Sequence, residues 1–316
     1  MRLSEKNVEE ILSLLERIRE EMGKESEEKK DDWERNREKV RERLRMLPAY
    51  ARKASESIIR PKKAGRPQKL SIYKKLILFL FTRMLDKSNR DMENLLLFFK
   101  PLLGIDVSYK YIERLYSDEE VRMAMHNLFI LLLRDEGISG TFSGDGTGYS
   151  LSITKHYRTG VRKESREYRY SFRIIDIDTG LYVAFGYSDR SEMDAFRKAM
   201  DMLEGLGIKI DSMRLDRYYS SKKIISIFDR NVKLYIIPKK NLRNLGMRWR
   251  RILMNMMSDP YGYLKEYFLR NLSESAFSAD KRRFGWMIRQ RREDRREMAV
   301  FAICALHNIF SVRGVG

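Results

Sequence analysis

A chain of 316 residues, 43% hydrophobic and 34% charged, is long enough for about two domains and a sizeable core. Its charged amphipathic start predicts no signal peptide, it has no apolar run of bilayer length, and its single cysteine, Cys304, excludes an intrachain disulfide framework or structural zinc site; these features predict a reducing, cytoplasmic compartment and no membrane partner. The net charge of +19 is clustered, with 17 of the 19 excess charges in residues 61–100 and 231–300, which predicts two separate contact zones for a polyanion such as DNA or RNA; solvated Lys/Arg faces are the alternative for either window alone.

Residues 1–60 read as a charged helical region. Val8, Ile11, Leu15, Ile18 and Met22 form a heptad stripe, suited either to dimerisation or to packing within the chain. Residues 61–70 are a basic linker. Within it, Gly65-Arg66-Pro67 resembles the core of an AT-hook, with Arg66 a candidate for the minor groove; a plain linker touching phosphates or nothing is the alternative.

Residues 71–136 read as a helical DNA-binding domain. Ile72, Leu76, Phe79 and Leu80 share one face, Ser88 to Asp91 forms a capped start, and the turn Leu103–Val107 precedes Ser108 as a second cap. Helix, Gly-containing turn and capped helix is the layout of a helix-turn-helix, with Tyr109, Lys110 and Arg114 exposed as DNA contacts; a small bundle without DNA is the alternative. A third helix is predicted from the box Ser117-Asp-Glu-Glu120.

From residue 137 to 316 the period changes. Residues 140–148 read as a strand running into a Gly-rich turn that holds Asp145. Strands over 168–177 and 181–187 are joined by a hairpin at Asp178-Thr-Gly180. A helix over 191–206, a strand over 212–215 ending at Asp216, a helix over 220–228, a strand over 232–237 and a helix over 243–257 follow. The apolar run Met298–Phe310, with Cys304 inside it, is a helix against the sheet. This order is similar to an RNase H-like domain, an α+β (α/β) mixed sheet with helices on both faces.

Tyr267, Arg270, Glu274 and Lys281 stand at offsets 0, 3, 7 and 14, so on one continuous helix they fall within about a 60° arc. These four letters match and resemble the Y-(2)-R-(3)-E-(6)-K signature of DDE transposases of the insertion-sequence-four type. In an RNase H-like order strands one and four are neighbours, so the resemblance implies that Asp145 and Asp216 meet at their ends and Glu274 arrives from its helix, a trio of carboxylates suited to hard divalent ions; taken singly, a turn-former, a helix N-cap and a surface helix residue are the alternatives. The resemblance implies that they are catalytic and hold two Mg²⁺ (or Mn²⁺) ions for phosphodiester hydrolysis and transesterification. It implies that Arg270 and Lys281 hold transposon-end phosphates and that Tyr267 supports backbone positioning. The partners it implies are the inverted-repeat ends of an insertion sequence, target DNA and a homodimer or larger synaptic assembly near the nucleoid, with no small-molecule substrate.

Glycines 144, 146 and 148 are expected to leave room for a DNA backbone beside Asp145. The 57 residues between Asp216 and Glu274 are too few for the large β-rich insertion of some relatives. Trp249, among arginines, is a candidate for stacking on a flipped base or for packing a helix on the sheet. His126, His156 and His307 lack metal-ligand spacing. A non-cutting DNA-binding protein and a nuclease without strand transfer are the rival functions.

Overall fold

The computed structural model describes residues 32–59, 68–151, 168–239 and 246–310. The Val8–Met22 stripe, Arg66 with its AT-hook-like segment, and His156 lie outside the described residues.

Among the described residues six helices precede the sheet: α1 (Asp32–Glu56), α2 (Ile72–Leu85), α3 (Asn89–Phe98), α4 (Lys100–Leu103), α5 (Tyr109–Leu115) and α6 (Glu119–Glu136). The caps follow local chemistry. The Ser88 hydroxyl accepts from the Asp91 N–H at 3.1 Å, as the sequence predicts. Ser108 makes no side-chain cap; Glu93 reaches over from α3 to accept from the Tyr109 N–H at 3.1 Å. The third helix is capped by Asp118 rather than Ser117, because the Asp118 carboxylate takes the N–H groups of Glu120 and Val121.

The sheet follows, with β1 (Thr141–Ser150), β2 (Tyr168–Asp176) and β3 (Tyr182–Ser188), then α7 (Glu192–Gly205), β4 (Ser212–Leu215), a 3-10 turn (Arg217–Tyr219), α8 (Lys222–Ile225) and β5 (Lys233–Tyr235). Among the described residues four helices follow: α9 (Met247–Ser258), α10 (Pro260–Phe268), α11 (Asn271–Phe284) and α12 (Glu293–Phe310). The strand order is β3-β2-β1-β4-β5. β1, β2 and β3 are antiparallel neighbours, while β4 runs parallel to β1 and β5 parallel to β4. The protein is therefore an α+β structure on a five-stranded mixed sheet. One buried apolar cluster runs from Ala51 to Ile309 and joins the first helices to α12 and the sheet. No helix among the described residues is long and apolar enough to cross a membrane.

The hairpin at Asp178-Thr-Gly180 forms as its residues dictate. Asp176 accepts from the N–H groups of Asp178 and Thr179, and Gly180 takes φ +70°. The Gly-rich segment around Asp145 does not turn. β1 continues through it to Ser150 and stays paired with β2 throughout. The reason lies on the far face of the sheet. A Cβ at Gly144 would sit 2.7 Å from Phe172 Cζ, and one at Gly146 would overlap the Glu192 side chain. These two glycines clear space for packing beneath α7, rather than for DNA beside Asp145.

Candidate active site

Strand alternation sorts β1 into two faces. Gly144 and Gly146 face Phe172 and Glu192, so Ser143 and Asp145 face the other way, toward α11. There the Ser143 hydroxyl lies 2.8 Å from that of Ser273, and both residues are fully buried. Two small polar residues let α11 approach the sheet closely, and the next residue along α11 is Glu274.

The parallel ladder between β1 and β4 ends at the pair Gly144–Leu215. Asp145, still on β1, and Asp216, just past the end of β4, are the residues that follow this pair, and neighbouring strands run about 4.8 Å apart. Asp216 also caps the following 3-10 turn, accepting from the Tyr218 N–H at 3.4 Å. Arg270 ties the second and third acids together. Its Nη1 donates to Glu274 Oε1 at 2.7 Å and lies 3.9 Å from Asp216 Oδ1. Its guanidinium stacks 5.4 Å from the Tyr267 ring centre, and its buried Nε has no hydrogen-bond partner.

The electrostatics follow from this crowding. Burial pushes the Asp145 carboxyl up to about 7. The charges of Asp216 and Glu274 add to that push, while the Gly146 N–H and Arg270 oppose it. Burial disfavours the charge on Arg270, yet Tyr267, Glu274 and Asp216 together hold its proton more firmly than usual. Among the described residues no three His, Cys, Asp or Glu side chains stand close enough to hold a metal ion as arranged. The Arg270 guanidinium, hydrogen-bonded to Glu274 and facing Asp216, is the cation these acids share.

No family model and no solved structure matches the chain. It is 60% identical over 316 residues, 99% of this chain and 98% of the other, to a protein of Archaeoglobus fulgidus named "Probable transposase for insertion sequence element ISA1214". The chain belongs to the insertion-sequence transposases. In this transposase the four signature residues do not share one continuous helix. α10 ends at Phe268 and α11 begins at Asn271. Between them the backbone bonds tighten to three-residue steps, as in Arg270 N–H to Tyr267 O at 3.2 Å and Ser273 N–H to Arg270 O at 2.9 Å. No Pro or Gly marks this break.

Tyr267 is 5% exposed, so its ring supports Arg270 and offers no surface to DNA. Lys281 is half-buried, with its ammonium over the rings of Tyr149 (5.4 Å) and Trp286 (5.5 Å); burial, then the charge of Arg173, lowers its pKa. Trp249 is corrected as a stacking candidate. It is 2% exposed, packs in the core and donates its indole N–H to the Ser220 carbonyl at 3.2 Å. Trp286 is instead 60% exposed, beside Lys281. Its neighbour in the signature was the available signal, since an indole five residues past Lys281 stays near the helix end. Lys110 and Arg114 are exposed on α5, and Tyr109 is half-buried under Arg90.

Sequence reasoning also missed a charged cluster behind the site. Arg173 on β2, directly across from Asp145 in the ladder, donates to Asp280 Oδ2 at 2.7 Å. Tyr182 donates to the same oxygen at 2.8 Å, and His307 Nδ1 lies 2.7 Å from Asp280 Oδ1. Asn308 pairs with both backbone polar groups of Tyr182. This network fastens α11, and hence Glu274, to the sheet and to α12.

Proposed function

We infer that this transposase is a DDE strand-transfer enzyme built on an RNase H-like domain. The supporting observation is the β1–β4 register, whose last pair, Gly144–Leu215, immediately precedes Asp145 and Asp216, residues far apart in sequence. The strand order β3-β2-β1-β4-β5, with three antiparallel strands and then two parallel ones, is the order expected of that fold. Glu274, one residue beyond the Ser143–Ser273 contact, completes the trio through Arg270.

The donor chemistry fits a hard divalent cation, because the cluster offers only carboxylate oxygens and already binds a cation, the Arg270 side chain. Asp145, Asp216 and Glu274 would hold Mg²⁺ or Mn²⁺ once Arg270 releases Glu274. Two such ions supply activation of an attacking oxygen and stabilisation of a leaving one. In the strand reaction, water attacks the phosphorus at the element end, the P–O3′ bond breaks, and the freed 3′-hydroxyl then attacks a target phosphodiester, whose own P–O3′ bond breaks to release a target 3′-hydroxyl. Arg270, freed from Glu274, and Lys281 hold phosphates; Trp286 offers a face for a base.

The α3–α4–α5 segment, with exposed Lys110 and Arg114, recognises the inverted-repeat ends. Two ends must be joined, so the working unit is a dimer or larger synaptic assembly. The deciding experiment mixes the protein, a labelled fragment of the element end taken from the DNA flanking the gene, Mn²⁺ and a supercoiled plasmid. Joined products are expected. Cut but never joined ends would leave a nuclease, and no cutting with intact binding would leave a DNA-binding protein.

A further inference from the structure

The two basic stretches of the sequence, read there as separate zones, meet in one pocket. A cavity of about 380 Å³ opens where α2 and α3 face the segment between α11 and α12. Arg83 and Lys87 line it from the first stretch, and Arg289, Arg291 and Arg295 from the second. Glu113 is the acid in the lining, and Arg295 already engages it. Asp86, just outside, is shared by Arg83 and Arg289. Five cations thus face two acids.

The pocket is built rather than incidental. Arg83 is 3% exposed and fixed by the Phe284 carbonyl at 2.6 Å, yet its Nε has no hydrogen-bond partner. Lys87 and Arg291 are exposed and have no ion-pair partner among the described residues. The ten-residue α3 starts at the rim, where its cap Ser88 and first residue Asn89 line the cavity. Small-molecule pockets are mostly apolar, and this one is lined chiefly by charged and polar groups.

Its place is informative as well. Phe284, which holds Arg83, ends α11, and Glu274 lies ten residues earlier on that helix. At about 1.5 Å per residue that is roughly 15 Å, the length of about four base pairs. We propose that this pocket grips a phosphodiester of the DNA duplex a few base pairs from the reacting phosphate. Its position along the duplex rests on the strand-transfer reading; its affinity for a phosphodiester rests on the pocket alone.

The test uses the full chain and a fluorescent mixed-sequence duplex, with affinity measured across a salt series. Lys87→Ala with Arg291→Ala is expected to flatten the slope of log K against log salt by about 1, the change expected for the one phosphate the variant no longer neutralises. Lys209→Ala with Lys233→Ala, exposed at the opposite end of the sheet, should leave the slope unchanged. If the Arg291 variant fails to fold, Lys87→Ala alone should flatten it in the same direction, by less than about 1. Superimposed wild-type and variant curves overturn the proposal, even if calorimetry shows the pocket taking inorganic phosphate. So does an equal loss in the distal control. Cleavage is scored separately, so a flattened slope in a protein that never cuts would sink the strand-transfer reading and leave the pocket standing.

Discussion

α11 presses two charged clusters against the same face of the sheet, and they are opposites. The Arg173–Asp280–His307 cluster is closed. Arg173 and Asp280 are almost wholly buried, and the Asp280 oxygens are bonded by Arg173, Tyr182 and His307. The Asp145–Asp216–Glu274 cluster is open. It has one cation for three acids, a buried Arg270 Nε without an acceptor, and a carboxyl in Asp145 pushed up by burial and its neighbours. A cluster kept for stability satisfies its charges; one left short of positive charge holds something in reserve for a ligand. Opposite residues on the β1–β2 ladder, Asp145 and Arg173, belong to the two kinds.

The largest expected effect breaks the open cluster. Asp145→Asn or Glu274→Gln should lower end cleavage by at least about three orders of magnitude while DNA binding stays intact. Asp145→Asn should also leave the melting temperature unchanged or higher, because it removes a like charge from a crowded site. Cleavage retained in either variant removes that residue from the proposed trio. A melting temperature that falls by many degrees would instead make Asp145 a structural acid like Asp280.

The next effect breaks the closed cluster. Asp280→Ala strands the buried guanidinium of Arg173 and should cost about 3–5 kcal/mol in chemical denaturation. Burial alone would raise the Asp280 pKa, but His307 and then Arg173 hold it below the ordinary carboxylate range. The stability from that depression is fully present above the unfolded value of about 4 and is lost as pH falls through the folded value. Wild-type stability should therefore decline on the acid side, and Asp280→Asn should flatten that decline. Parallel acid limbs in the two proteins would show that other carboxylates set it.

Much of this architecture was legible because local signals and tertiary demands agreed. The period-two strands, the Asp178-Thr-Gly180 turn and the Ser88 cap all sit where their chemistry puts them. The misreadings share a cause, a demand from a distant partner. Gly144 and Gly146 look like a turn until Phe172 and Glu192 are seen to occupy their Cβ space. The break at Leu269 and Arg270 carries no helix-breaking residue, and Arg270 gains Glu274, Asp216 and Tyr267 as neighbours there. Trp249 sits among arginines in sequence but inside the core in space. Arg173, Asp280 and His307 are spread over more than a hundred positions, so nothing short of the fold brings them together.

The smallest effect reports on the closed cluster without touching it. Cys304 on α12 is fully buried beside Arg173 and Asp280, and burial pushes its thiol up to about 12. Thiolate is the reactive form, so at pH 8 only about one thiol in ten thousand would be ionised even if a reagent reached it. Reaction with a thiol probe should therefore wait for opening of the α11–α12 layer. Under native conditions labelling should be slow and should track stability, faster in Asp280→Ala and unchanged or slower in Asp145→Asn. Rapid labelling of the folded wild type would mean that this layer opens on its own, and that Glu274 is carried by a helix far less firmly fastened than the buried ion pair implies.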